Sequence, residues 1–423
     1  MSSPAAPRRR PVPADRSNDR LVVLAALGIA LVFLLASLVS MLLPPETRQG
    51  AWLPLHLALA GAAATAIAGV MPFFSAALAA APPAGARLRF TAVGAVSAGA
   101  LAVSVGVIGQ ASVLAVAGGL LFITGAGLTG LATVRPLRRA LGPSRGLVTR
   151  AYVLALSALA AGAALATIFL AGWPPLVESW AHARGAHAWL NLVGFVSLVI
   201  ATTLLHFFPT VVGARIVARP SARLTVAGLA LGAPLVALGL VLGSDPLARI
   251  GAVCSLGGAA ALAVYAAQTW RTRARWTSDR GWHRFAMGGL VCAIGWFEAG
   301  MALAAGRVLL LGSEPAAWSI DVVAGPLVAG WMSQAVVASA THLVPAIGPG
   351  SPVAHASQRR LLGRDAELRL AGINGGAAAL ALGLPLGLEP LQAAAVPLLG
   401  LGLGSTALLL GVAVRVGLRP SAP

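Results

Sequence analysis

The residues in this chain best suited to chemistry are its histidines, seven in all. A neutral imidazole ligates metals and haem iron, and near neutral pH it also carries protons. His283 and His355 sit among arginines and read as solvated loop or interfacial residues. The other five, His56, His182, His187, His206 and His342, fall in or beside apolar stretches. Distance divides them. His187 and His206 are 19 residues apart on one predicted helix, about 28 Å at 1.5 Å per residue, whereas two ligands of one metal must each lie about 2 Å from it. One layer therefore holds His56 and His187, with His182 either a further member or an ordinary interfacial histidine. A second layer holds His206 and His342.

The second layer has a local echo. Residues 203–209 read Thr-Leu-Leu-His-Phe-Phe-Pro and residues 339–345 read Ser-Ala-Thr-His-Leu-Val-Pro, so both present His-x-x-Pro. A proline inside a helix frees the carbonyl one turn earlier and kinks the axis. That can turn an imidazole toward a neighbouring helix, where two such rings could ligate a haem iron axially or contribute to a copper site. Each could equally hydrogen-bond the freed carbonyl, or handle protons. In the first layer, His187 and Asn191 are four residues apart and share a helix face. Glu298 lies in the same half of its own span, and a cluster of His56, His187 and Glu298 would suit copper, haem or a proton path. Asp321 could pair with Arg307 across a hairpin.

The elements that must position these groups follow from composition. The chain has 423 residues, 58% hydrophobic and 10% charged, against about 25% charged in soluble domains. A soluble enzyme is excluded. Apolar stretches of about the 20 residues a membrane span needs fall at 21–43, 52–75, 90–108, 111–133, 151–171, 187–208, 224–242, 247–269, 285–305, 320–346, 369–386 and 391–414. The fold class is thus all-α, a polytopic bundle of about twelve transmembrane helices. Residues 1–20, rich in Pro, Arg and Ser, read as a disordered tail, 21–414 as a single transmembrane domain, and 415–423 as a second tail. The histidines in the spans occupy helices 2, 6 and 10. That four-helix period suits three pseudo-symmetric four-helix groups.

A formal net charge of +18 would suggest nucleic acid in a soluble protein, but the 30 basic residues are all Arg and lie between apolar runs. They report topology. Loops retained on the cytoplasmic side keep positive charge, and the two tails with the even-numbered loops hold 26 arginines, leaving Arg48, Arg184, Arg249 and Arg307 on the other side. Both termini are expected in the cytoplasm. An Ala-, Gly- and Arg-rich composition without Lys points to a bacterial plasma membrane. Cys254 and Cys292 lie inside apolar runs and form no disulfide framework or metal motif.

The stretches around His56 (Trp-Leu-Pro-Leu-His-Leu), His187 (His-Ala-Trp-Leu-Asn-Leu-Val-Gly-Phe), His206 (His-Phe-Phe-Pro-Thr-Val-Val-Gly-Ala-Arg) and His342 (Thr-His-Leu-Val-Pro-Ala-Ile-Gly-Pro-Gly) resemble an actinobacterial family of multi-span proteins. Its members are called copper oxidase or hypothetical and accompany copper nitrite reductase modules. The resemblance runs over helices 1 to 11. More distantly, the chain is similar to subunit I of haem-copper oxidases and nitric oxide reductases, which have twelve helices in three pseudo-symmetric groups and histidines on helices 2, 6 and 10. That resemblance makes His56 the counterpart of the helix 2 haem ligand. Helix 7, however, lacks a His pair, helix 10 has one His instead of His-x-His, and Asn191 stands where that superfamily has Tyr. The binuclear oxygen-reducing centre is therefore not expected here.

The expected function is an integral membrane haem- or copper-binding protein of nitrogen-oxide or copper redox metabolism. Its candidate cofactor ligands are His56, His187, His206 and His342, with His56, His187 and Glu298 as the candidate metal set. Its partners would be the lipid bilayer and a copper nitrite reductase or another electron-transfer protein, with no nucleic acid. The alternatives are a non-catalytic scaffold for a copper enzyme and a transporter. Transporters place acidic groups or broken helices at the midplane, while the polar residues here, Thr202, Ser333 and Gln334, are neutral apart from Glu298.

Overall fold

A computed structural model of the chain describes residues 15–139, 146–274 and 283–419. Positions 1–14 of the expected tail, the loop arginines 145, 275 and 280, and positions 420–423 lie outside them. The described residues form twelve long helices and a shorter one, α11: α1 (Asp15–Ser40), α2 (Trp52–Ala79), α3 (Ala86–Ile108), α4 (Ser112–Val134), α5 (Gly146–Leu170), α6 (Trp180–Val211), α7 (Pro220–Leu242), α8 (Asp245–Trp270), α9 (His283–Leu311), α10 (Pro315–Ala346), α11 (Pro352–Leu362), α12 (Ala366–Gly383) and α13 (Glu389–Leu418). Helix α1 thus starts inside the segment read as a tail, and α13 extends past residue 414 to Leu418.

Eleven of these helices are long and apolar enough to cross a membrane, and large apolar side chains such as Leu31, Leu101, Leu231, Val253 and Leu408 stand exposed along them. The chain is an all-helical, multi-pass membrane protein. Helix α12, taken from sequence as the eleventh of twelve spans, is not among the eleven: its 18 residues include Glu367, Arg369 and Asn374. Helix α11 is short and amphipathic, with Ser351 capping its first turn.

The helices group into two compact units, residues 1–173 and 174–423, within the stretch read from sequence as one domain. In the first, α3 and α4 pack through glycines, since a Cβ on Gly99 would stand 2.5 Å from the Phe122 nitrogen and one on Gly125 2.6 Å from that of Val96. Such close backbone approach is how helices associate in lipid, where no hydrophobic force drives them together. Ser75 of α2 donates to the Thr133 carbonyl (2.7 Å) and lies 3.2 Å from the Thr149 hydroxyl, joining α2 to α4 and α5.

The second unit repeats the device. Helices α7 and α8 close on each other at Gly228 and Gly258, whose added Cβ would lie 2.6 Å and 2.8 Å from facing backbone, and α12 and α13 close at Gly372 and Gly402. Glycine-packed hairpins therefore recur at helices 3–4, 7–8 and the final pair. The proline pattern recurs too: Pro72, Pro209 and Pro345 all lie inside the C-terminal parts of α2, α6 and α10.

The same three helices carry a further irregularity. Each widens into a π-helical segment, Leu57–Ala63 in α2, Leu190–Ser197 in α6 and Ala324–Ser333 in α10, and a shorter one occupies Gly400–Gly404 in α13. A π segment shifts backbone carbonyls off the regular ladder, and such segments gather at functional sites.

Candidate functional site

In the first unit, His56 closes the first turn of α2, and the π segment begins at the next residue. Its Nδ1 pairs with the Trp52 carbonyl at 2.8 Å, and its ring stacks on the Trp52 indole with centroids 4.1 Å apart. A ring held through Nδ1 by a carbonyl presents Nε2 outward. This is the arrangement that orients ligating histidines.

The remaining candidates belong to the second unit. His187 lies three residues before the α6 π segment. Asn191 donates from Nδ2 to the His187 carbonyl at 2.7 Å and lies 3.3 Å from its Nδ1, so the expected shared face is observed. The His187 ring also approaches Trp180, at 6.4 Å. His182 does something different: its Nδ1 pairs with the Ser313 carbonyl at 3.0 Å. Ser313 in turn donates its amide and hydroxyl to Asp245, at 2.8 Å each. His182 is thereby part of a strap joining the start of α6 to the α9–α10 connection and the start of α8. Arg307 donates to the Ala316 carbonyl within that connection.

Glu298 is half-buried on α9, and its Oε1 meets no hydrogen-bond partner among the described residues. The Trp189 indole nitrogen, the Thr202 hydroxyl and both polar atoms of the Gln334 amide are buried in the same condition. An unsatisfied polar atom in a dry interior costs about 1–3 kcal/mol. These atoms mark where the unit would accept water or a polar ligand.

Helices α6 and α10 meet along a register set by two contacts. Trp331 Nε1 donates to Ser197 Oγ at 3.1 Å, and the Phe207 ring meets the His342 imidazole edge-on, with centroids 5.6 Å apart. Phe207, the neighbour of His206 on α6, thus packs against His342. His342 is 8% exposed, and its second aromatic contact is His283, at 5.5 Å. His283, read from sequence as a solvated loop or interfacial residue, is the first residue of α9 and half-buried. The available signal was its position at the head of an apolar run antiparallel to the end of α10. His355, read the same way, is half-buried and pairs through Nε2 with the Gly348 carbonyl at 3.3 Å.

Two arginines read as topological charge are structural. Arg89 is 1% exposed and donates from Nε to the Ala84 carbonyl at 2.8 Å. Arg369 is buried, donates to the Leu362 and Arg364 carbonyls at the end of α11 and to the Thr406 hydroxyl, and lies over the Phe285 ring. Carbonyls at a helix C-terminus attract cations, and here they hold one inside the protein.

Among the described residues no three His, Cys, Asp or Glu side chains are grouped to hold a metal ion.

No protein-family model matches the sequence, and comparison with curated proteins finds no match. Among solved structures the fold is similar to that of a heme-copper terminal oxidase, determined as a dimer by cryo-EM, with a TM-score of 0.70 and 14% identity over 96% of this chain and 85% of that one. The likeness establishes a distant haem-copper-oxidase-like fold.

Proposed function

We propose that this protein is an integral membrane redox component that holds haem or copper on imidazoles and serves nitrogen-oxide or copper metabolism in a bacterial plasma membrane, with both termini in the cytoplasm. The observation that carries the reading is the coincidence on α2, α6 and α10 of a π segment, a C-terminal proline and the candidate histidines. The fold of the neighbouring terminal oxidase supports it. The partner would be a copper nitrite reductase or another electron-transfer protein, as the sequence resemblance implies.

In this reading haem or copper supplies one-electron transfer. The chain supplies ligands and their orientation. His56 is held by the Trp52 carbonyl and indole, and His187 by Asn191. His206 and His342 are the candidates at the C-terminal ends of their helices, and Glu298 is a proton acceptor within its span. The absence of a three-donor group among the described residues favours a second reading, a non-catalytic membrane scaffold for a copper enzyme.

An absorbance spectrum with metal analysis on detergent-purified protein separates the two. A Soret band or stoichiometric copper, lost in His56→Ala protein that still inserts, supports the redox reading. Wild-type protein with neither haem nor copper leaves the scaffold in its place.

A further inference from the structure

We infer that His283 and His342 form a two-imidazole site for a late first-row transition ion, of the zinc or copper class, at the junction of the α9 start and the α10 end. The inference stands on geometry; it shares His342 and the copper class with the redox reading, and it would hold in a protein that never carries haem.

The two rings have centroids 5.5 Å apart and an interplanar angle of 49°. Nitrogen–metal distances are about 2.0–2.1 Å and a ring centroid lies about 1.1 Å behind its ligating nitrogen, so two imidazoles on one ion keep their centroids roughly 5–6.5 Å apart. The observed spacing falls in that interval. Backbone movement is not needed.

The helices are held where they are by contacts of their own. Along the α9–α10 pair, a Cβ on Gly289 would meet Ala338 at 2.7 Å, Phe297 stacks on Trp331 with centroids 4.6 Å apart, and Gly300 faces Leu327. The residue numbers of these antiparallel partners sum to nearly the same value, and 283 with 342 continues the series to its end. On a third side the Phe207 edge closes against the His342 ring. His342 is thus held by packing, and His283 faces it from the start of α9.

The charge around the pair selects the ion. Arg359 of α11 is near enough for its positive field to reach His342, as is His283 itself. Beside His283, Arg284 is engaged by Glu367 of α12. A hard cation such as Mg²⁺ or Ca²⁺, which requires oxygen ligands, has no basis here. Imidazole suits zinc, copper, iron and nickel through covalency more than charge, and two protein ligands leave positions for water or an exogenous anion beside Arg359.

The test uses the full chain purified in detergent, stripped with chelator and titrated calorimetrically with Zn²⁺, and with Cu⁺ under reducing conditions. Wild-type protein should bind about one equivalent of at least one ion, with a rise in melting temperature. His283→Ala should weaken binding at least tenfold and abolish the rise, His283→Cys should restore it, and His355→Ala should leave it unchanged. A haem Soret band, if present, should be indifferent to His283→Ala. Because His283 is half-buried at a helix start, that variant should remain monodisperse even where His342→Ala does not. Absence of stoichiometric binding of either ion, or binding unchanged in His283→Ala, overturns the site, and a Soret band in the same protein would still support the haem form of the redox reading.

Discussion

Trp331 and Ser197 are joined by a 3.1 Å hydrogen bond from indole to hydroxyl, and each lies in the π segment of its own helix. The bond fixes where α6 and α10 meet. Trp331 also stacks on Phe297, so one side chain locks three helices of the second unit together. Hydrogen bonds between helices in membranes couple by about 0.6 kcal/mol on average and about 1.7 at most. A double-mutant cycle of Ser197→Ala and Trp331→Phe, followed by unfolding in detergent, should give a coupling in that range. Strict additivity would mean the bond contributes nothing to the register of the π segments.

The glycine hairpins make a second prediction. A Cβ at Gly251 would strike the Val236 backbone nitrogen, and backbone cannot move aside as a flexible side chain can. Gly251→Ala should therefore force α7 and α8 apart, lowering the melting temperature and the monodisperse yield. On the same helix Gly257 has open space around its Cβ position, so Gly257→Ala should be neutral, or stabilising by about 0.5–1 kcal/mol through reduced backbone freedom. Equal melting of the two variants would contradict the close approach.

The proposed topology rests on the arginines, 26 of which fall in the tails and even-numbered loops of a twelve-span reading and four in the odd-numbered loops. A periplasmic reporter fused after Pro423 should be inactive, and one inserted in the α1–α2 loop, beside Arg48, should be active. The reverse pattern would sink the orientation. Arg89 and Arg369 weaken the sequence argument slightly, because carbonyls inside the protein hold them.

The helices were legible because an apolar run of span length, flanked by arginine and proline, is stable only where lipid or protein covers every side of it. The candidate pairings were less so. The His-x-x-Pro repeat lies at the C-terminal ends of α6 and α10, where Phe207, one position on from His206, meets the His342 ring. A shift of one residue turns a side chain by about 100° around a helix, and the π segment upstream changes the phase again in a way no 3.6-residue pattern reports. His283 was missed because an Arg-rich neighbourhood reads as solvent, while the fold draws the first residue of α9 against the end of α10. Arg369 shows the same effect: it opens the eleventh apolar run of the sequence and lies buried within α12, bonded to the end of α11.

Glu298 supplies the last prediction. A carboxyl group within a span is costly unless it is paired, hydrated or protonated, and its Oε1 faces no donor among the described residues. Its neighbours on α9 include Phe297, which is occupied in stacking on Trp331. With Oε1 unengaged, proton exchange is the role proposed for Glu298. Glu298→Gln keeps the shape and removes the titration. In protein that carries haem or copper, this variant should retain metal content within about twofold, a difference well under 1 kcal/mol. The pH dependence of the bound group's absorbance or midpoint potential should flatten. His187→Ala should do the reverse, lowering metal content while leaving the pH profile of whatever remains. If Glu298→Gln empties the site, the carboxylate is a ligand; if it changes neither content nor pH profile, Glu298 has no part in the chemistry.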